Sequence, residues 1–215
     1  MIDLHTHTLL SDWELLPTEL ARRAAEKGYK VIGITDHVDA SNIDFVVPRV
    51  ISACKDINKN WKIKAIPGVE ITHMPLDSIK DTVRFVRSKG IKLVLVHGET
   101  IVEPVIPGTN KTAIMAGIDI LTHPGLISLE DATLAVKKDV YLELTTRKGH
   151  SLTNGHVARI AKLTGARLVI NTDSHRPEDM VTKDFAENIL QGAGLDKKEI
   201  KQVFKNSEEL TVRFV

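Results

Sequence analysis

The apolar runs of this chain end, one after another, in residues that ligate metals. His5 and His7 follow the run MIDL, His37 closes VIGITDH, Glu70 closes KAIPGVE, His97 closes KLVLVH, His123 closes IDILTH, and Asp173 and His175 end RLVINTDSH. With Asp12 they make nine candidate ligands drawn from most of the chain's length. Residues so far apart in sequence meet in space only where the strands run parallel and their ends share one face. A (β/α) barrel assembles its active site in this way.

Strand and helix patterns alternate between these ligands. Helical spacing or helix-end signals appear at PTELARRAAEKG, from about Asp44 to Asn58, at DSIKDTVRFVRSKG, SLEDATLAVKK and NGHVARIAKLTG, and then in PEDMVTKDFAENILQGAG and DKKEIKQVFKN. The strands between them are MIDL, VIGIT, KIKAI, IKLVLV, ILT, VYLELTT and RLVIN. Several are continuous apolar runs, as expected of a parallel sheet covered on both faces. Seven strands predict an α/β fold, a distorted (β/α)7 TIM-like barrel, in one domain over residues 1–215. An open doubly wound sheet is the competing arrangement, but its strand ends would not bring ligands from every segment to one point.

Composition narrows the function. The net charge of +1 supplies no basic field for nucleic acid or anionic membrane, and 4% aromatic residues make poor stacking platforms. A mononucleotide remains compatible; long nucleic-acid tracks are disfavoured. Cys54 is the sole cysteine, which rules out an intrachain disulfide and thiolate metal sites, and suggests a reducing, cytoplasmic setting. MIDLHTHT has no signal-peptide pattern, and no apolar run is long enough to span a bilayer. Nothing in the chain specifies an oligomeric state.

An extended DLHTH segment puts His5 and His7 on one side, and TDSH repeats the arrangement with Asp173 and His175. Paired imidazoles suit a divalent first-row metal, and a carboxylate such as Glu70 could bridge two ions. His73, His150 and His156 fall outside the set and read as structural or exposed; His150, just after the sixth strand, stays open because it lies near the expected mouth.

The segments DLHTHT…SD, ITDH, GVE, VH, THPG and TDSH, in this order from Asp3 to about Arg176, resemble the motif set of the PHP (polymerase and histidinol phosphatase) family. The resemblance implies a distorted (β/α)7 barrel with three divalent ions, zinc, manganese or iron, at the C-terminal ends of the strands. Carried over by position, the first ion would take His5, His7, Glu70 and Asp173. The second would share Glu70 and take His97 and His123. The third would take Asp12, His37 and His175, Asp12 standing where the family uses His or Asp.

Such a cluster neutralises a phosphate ester, orients it for in-line attack and lowers the pKa of a bound water to roughly 7. The expected reaction is hydrolysis of a small phosphomonoester, histidinol phosphate or a nucleotide, by a metal-bound hydroxide and without a phosphoenzyme. Glu70, His37 and Asp173 are the expected catalytic residues. Arg147 and Lys148, after the sixth strand, and Arg176, beside His175, are expected to clamp phosphate. Asp3 and Asp36 either accept from ligand imidazoles or hold turns in their loops. The loop Gly98–Lys111 is placed to select substrate. Three rival functions are a phosphodiesterase or exonuclease, an amidohydrolase, which also begins with an HxH pair, and a non-catalytic metal-binding accessory module.

Overall fold

A computed structural model describes residues 1–214. Its strands are β1 (Ile2–Thr6), β2 (Val31–Ile34), β3 (His37–Val38), β4 (Lys64–Ile71), β5 (Leu93–His97), β6 (Ile120–Thr122), β7 (Tyr141–Thr145) and β8 (Leu168–Asn171). Seven of them form a parallel wall in the order β1-β2-β4-β5-β6-β7-β8, while the short β3 pairs with β4 and sets His37 opposite Glu70. The wall is nearly closed between its first and last strands by a bridge at Thr6 and Ser174, where the Asp173 amide donates to the His5 carbonyl at 3.0 Å. The chain is therefore the expected seven-stranded TIM-like barrel.

Eight α-helices cover the wall: α1 (Pro17–Glu26), α2 (Ile43–Asn60), α3 (Leu76–Ser88), α4 (Thr109–Ala116), α5 (Leu129–Lys138), α6 (Asn154–Thr164), α7 (Lys183–Gly192) and α8 (Lys197–Thr211). Their caps follow the sequence. Ser128 accepts from the Asp131 amide at 3.0 Å, and Asp196 with Glu199 forms a reciprocal capping box at α8. Two boundaries differ from the sequence expectation. α4 lies partly within the supposed loop Gly98–Lys111, and α7 starts at Lys183 behind a Thr182 cap, not at Pro177, which opens only a short 3-10 turn.

Two cores result. One lies between helices and strands; the other fills the barrel with Leu4, Val31, Ile66, Leu93, Leu95, Ile120, Tyr141 and Val169, closed by Leu210 and Phe214 at the bottom. Strand alternation carries the inner faces upward from this apolar plug to the polar mouth. Leu93 and Leu95 lead to His97, Ile66 leads to Glu70, and Val169 leads to Asn171 and then Asp173. At β1 the register slips between Asp3 and Thr6, and the two histidines turn inward above Leu4. A seven-stranded barrel is narrow, and Gly33 makes room at one inward position: a Cβ there would stand 2.8 Å from the Leu4 carbonyl oxygen and 2.9 Å from Leu93.

Leu95 is fully buried inside the barrel. Leu95→Ala is expected to cost about 2–5 kcal/mol in denaturant unfolding, the range for a core cavity that cannot collapse. A loss under about 1 kcal/mol would show that the interior is not tightly packed.

Candidate metal centre

The tops of the strands surround a cavity of about 470 Å³. Asp12, His37, His97, His123, Asp173 and His175 line it, while His5, His7 and Glu70 form a fully buried floor beneath. The structure thus brings all nine candidate ligands to one mouth. His7, Asp12, His37 and His175 converge closely enough to hold one ion, as do His5, His7 and Glu70, and likewise His5, His123 and Asp173.

The grouping follows the implied one at Asp12, His37 and His175 and at His5, His7 and Glu70, and departs from it at His97. His123 Nε2 lies 3.7 Å from Glu70 Oε1, but His97 Nε2 is turned toward the Glu103 carboxylate at 3.1 Å. Between the two floor histidines, His5 Nε2 and His7 Nε2 stand 3.1 Å apart.

Electrostatics divide these groups. Burial alone lowers an imidazole's pKa. At His5 burial is outweighed by Glu143, Glu70 and Asp173, which hold the ring well above its usual value. His7 goes the other way, depressed by burial and by the His37 and His175 charges, and His123 is lowered by burial and by His97. The Glu70 carboxyl, despite burial, is held well below the carboxylate range by His5 and His37. A metal requires neutral imidazoles and ionised carboxylates, so His7, His123 and Glu70 already lean toward the bound state, whereas His5, His37 and His97, drawn toward the protonated form by their carboxylate neighbours, would release protons to an arriving ion. His7 Nδ1, His97 Nδ1 and His123 Nδ1, on the ring edge opposite the donor nitrogen, are buried without a hydrogen-bond partner in the protein, each a cost of about 1–3 kcal/mol. The all-nitrogen-and-oxygen donor set fits a divalent first-row ion.

Backbone strain is concentrated here as well. Among the described residues, four that are not glycine have left-handed φ angles, and His73 (49°), His123 (24°) and Asp173 (50°) all line the cavity. Strain held at a functional site is the common pattern.

A carboxylate that the sequence did not reveal supports the floor. Glu143, fully buried on β7, accepts from His5 Nδ1 at 2.9 Å, from the His123 amide at 3.1 Å and from Asn171 Nδ2 at 2.8 Å. Asp3 does not take that role; its carboxylate accepts from the Thr172 hydroxyl at 2.6 Å and from the Thr172 and His5 amides, which ties β1 to β8. Its burial raises its pKa to about 6. Asp36 accepts from the Thr8 amide and the Ser11 hydroxyl, both at 2.7 Å, and so shapes the loop that carries Asp12. The His37 ring faces Thr72 Oγ1 instead, 2.6 Å from its Nδ1.

Of the three expected phosphate clamps, only Arg147 reaches the cavity. Its guanidinium donates to the Asp173 carbonyl at 3.1 Å, and its Nε lies 3.6 Å from Asp173 Oδ2. Lys148 is exposed and outside the lining; Arg176 is also exposed, its nearest acid Glu14 at 3.9 Å. Adjacency in sequence placed them near the mouth but did not set their direction. Glu103, His73 and His150 line the cavity although they are absent from the nine.

The model of the PHP domain matches residues 3–204. The chain belongs to the PHP family. Protein MJ1295 of Methanocaldococcus jannaschii is 45% identical over 93% of this chain and 92% of its own length. A protein of Shewanella frigidimarina named probable phosphatase is 27% identical over 100% of this chain and 92% of its own. Among solved structures, a chain of an archaeal ribonuclease P with mature tRNA superposes with a TM-score of 0.76 at 19% identity, covering 99% of this chain and 91% of its own. A candidate histidinol phosphatase from Listeria monocytogenes gives 0.61 at 13% identity, with 84% and 97% covered. At those identities the two structures speak for the barrel alone. This PHP chain is a hydrolase of the phosphoesterase class. No helix among the described residues is long and apolar enough to cross a membrane.

Proposed function

We propose that this PHP chain hydrolyses a small phosphomonoester, histidinol phosphate or a mononucleotide, at a centre of three divalent ions in the cytoplasm. The observation that carries the reading is the convergence of nine nitrogen and oxygen donors under one cavity, with a single guanidinium at its rim. A volume of about 470 Å³ suits a small ligand.

Divalent ions bound there would neutralise the ester's charge and lower the pKa of water from 15.7 to roughly 7. The protein's own groups do the rest. Glu70 and Asp173 supply negative charge at the floor and wall, and Glu143 fixes the orientation of His5 from behind. Arg147, its Nη1 held by the Asp173 carbonyl and by Asp179, offers its Nη2 and its positive charge to a phosphate that enters the cavity. Ser11, the hydroxyl on the wall nearest Asp12, donates to Asp36 at 2.7 Å and is occupied in holding its loop. We therefore expect direct hydrolysis, with no phosphoryl group trapped on a side chain.

The test is a reconstitution screen. The protein is stripped, reloaded with zinc, manganese or iron, and assayed for phosphate release from histidinol phosphate, mononucleotides, sugar phosphates and an aryl diester. Selective turnover of a monoester is expected. Turnover of diesters alone would move the protein to phosphodiester chemistry, and inactivity with ions bound would sink the proposal. In the same assay Arg147→Ala is expected to lower kcat/KM by about 10- to 100-fold, mainly through KM, as the loss of a charge-assisted hydrogen bond predicts. Its metal content should stay at the wild-type level; unchanged kinetics would remove Arg147 from the phosphate site.

A further inference from the structure

Glu103, on the loop between β5 and α4, gathers three imidazoles. His73 Nε2 and His97 Nε2 each lie 3.1 Å from its Oε2, and His150 Nε2 lies 3.3 Å from its Oε1. An ordinary rim carboxylate pairs with one cation; three convergent ring nitrogens need another explanation. Zinc–nitrogen bonds of about 2.0–2.1 Å in a tetrahedron put neighbouring donors about 3.3 Å apart. Each ring nitrogen stands at about that spacing from a Glu103 oxygen, and the donors of His73, His97 and Glu103 are mutually close enough to hold one ion.

The surrounding structure holds these residues in place. His150 Nδ1 is 2.8 Å from Thr100 Oγ1, which leaves its Nε2 to face Glu103. His73 takes a left-handed backbone (φ 49°) to face the cavity. The loop is anchored at both ends: the Glu99 carboxylate accepts from the Gly108 and Asn110 amides at 3.0 and 2.8 Å, and Asn110 Oδ1 accepts from the Glu99 amide at 3.0 Å. At Gly125 a Cβ would fall 1.8 Å from the Glu99 carbonyl oxygen, so the following turn packs directly on the loop.

We propose that Glu103, with His73 and His97, holds a divalent cation at the outer edge of the mouth, while His150 braces the carboxylate at its other oxygen. This position lies beyond the nine ligands, takes the Nε2 lone pair of His97 so that the other eight serve the inner ions, and rests on the reading of the mouth as a metal centre. It gives the long loop after β5 a chemical role, as the bearer of a ligand. It also accounts for His97 turning away from Glu70.

The test counts ions, not turnover. Wild type, Glu103→Gln and His73→Ala are stripped, equilibrated with the same free cobalt(II) and analysed by mass spectrometry for cobalt per chain, with visible absorption recorded as a signature of coordination. Each variant is expected to hold one ion fewer than wild type and to lose the corresponding absorption, with circular dichroism confirming the fold. If both folded variants keep the wild-type count and spectrum, Glu103 is not a ligand and the proposal falls, while the metal-centre reading stands. If wild type itself takes up no ion, both fall.

Discussion

Glu70→Gln is expected to reduce kcat/KM for the best monoester at least about a thousandfold, equivalent to roughly 4 kcal/mol of transition-state stabilisation. The side chain is fully buried at the floor, with Oε2 2.9 Å from His37 Nδ1 and 3.3 Å from His5 Nε2, and Oε1 accepting from Thr122 Oγ1 at 2.6 Å. Glutamine keeps the shape but removes the charge on which several imidazoles converge, and its amide would present a donor where a ligand needs an acceptor. Metal content should fall with activity, and stripping wild type with a chelator should reproduce the loss until ions are returned. A Glu70→Gln enzyme with more than a tenth of wild-type kcat/KM would show that this carboxylate is not at the reacting centre.

Glu143→Gln is expected to weaken metal binding by about 10- to 100-fold, although Glu143 lies behind the donors and not among them. Its two oxygens serve three donors, the His5 ring, the His123 amide and the Asn171 side chain, all buried. An amide in its place sets a donor against a donor at one of these contacts, for a further stability loss of about 1–3 kcal/mol. Metal titration and denaturant unfolding of the metal-free protein separate the two effects. If the affinity is unchanged while stability drops, Glu143 serves the fold alone.

The parts legible in sequence were those that the ends of the apolar strand runs report. His97 and Glu70 stand out because each closes an apolar strand run, and six of the seven runs close in a ligand, as only a barrel's shared mouth requires. Glu143 was hidden by the same logic: it lies in the middle of VYLELTT, a strand whose end offers no ligand, and a buried carboxylate there reads as a strand residue. Glu103 and His73 sit on turns, where no period exists to say which way a side chain points. α4 escaped because its apolar face is short, with only Ala113 and Ile114 buried among its hydrophobic residues. For Lys148 and Arg176, closeness to a ligand in sequence was a poor guide, since successive side chains at a strand end diverge.

The seam between β1 and β8 has a consequence for biosynthesis. Two of the groups able to hold an ion pair His5 with Asp173 and His7 with His175 across more than 160 residues of chain. A nascent polypeptide therefore carries His5, His7 and His37 through most of translation without the partners that complete their cluster. At roughly 5–20 residues per second, about ten to thirty seconds of synthesis separate the first donors from the last. During that interval an ion can meet only fragments of the pocket. Metal uptake at this seam is thus a late event that follows ribosomal emergence of the last strand and fastens together the two ends of the barrel.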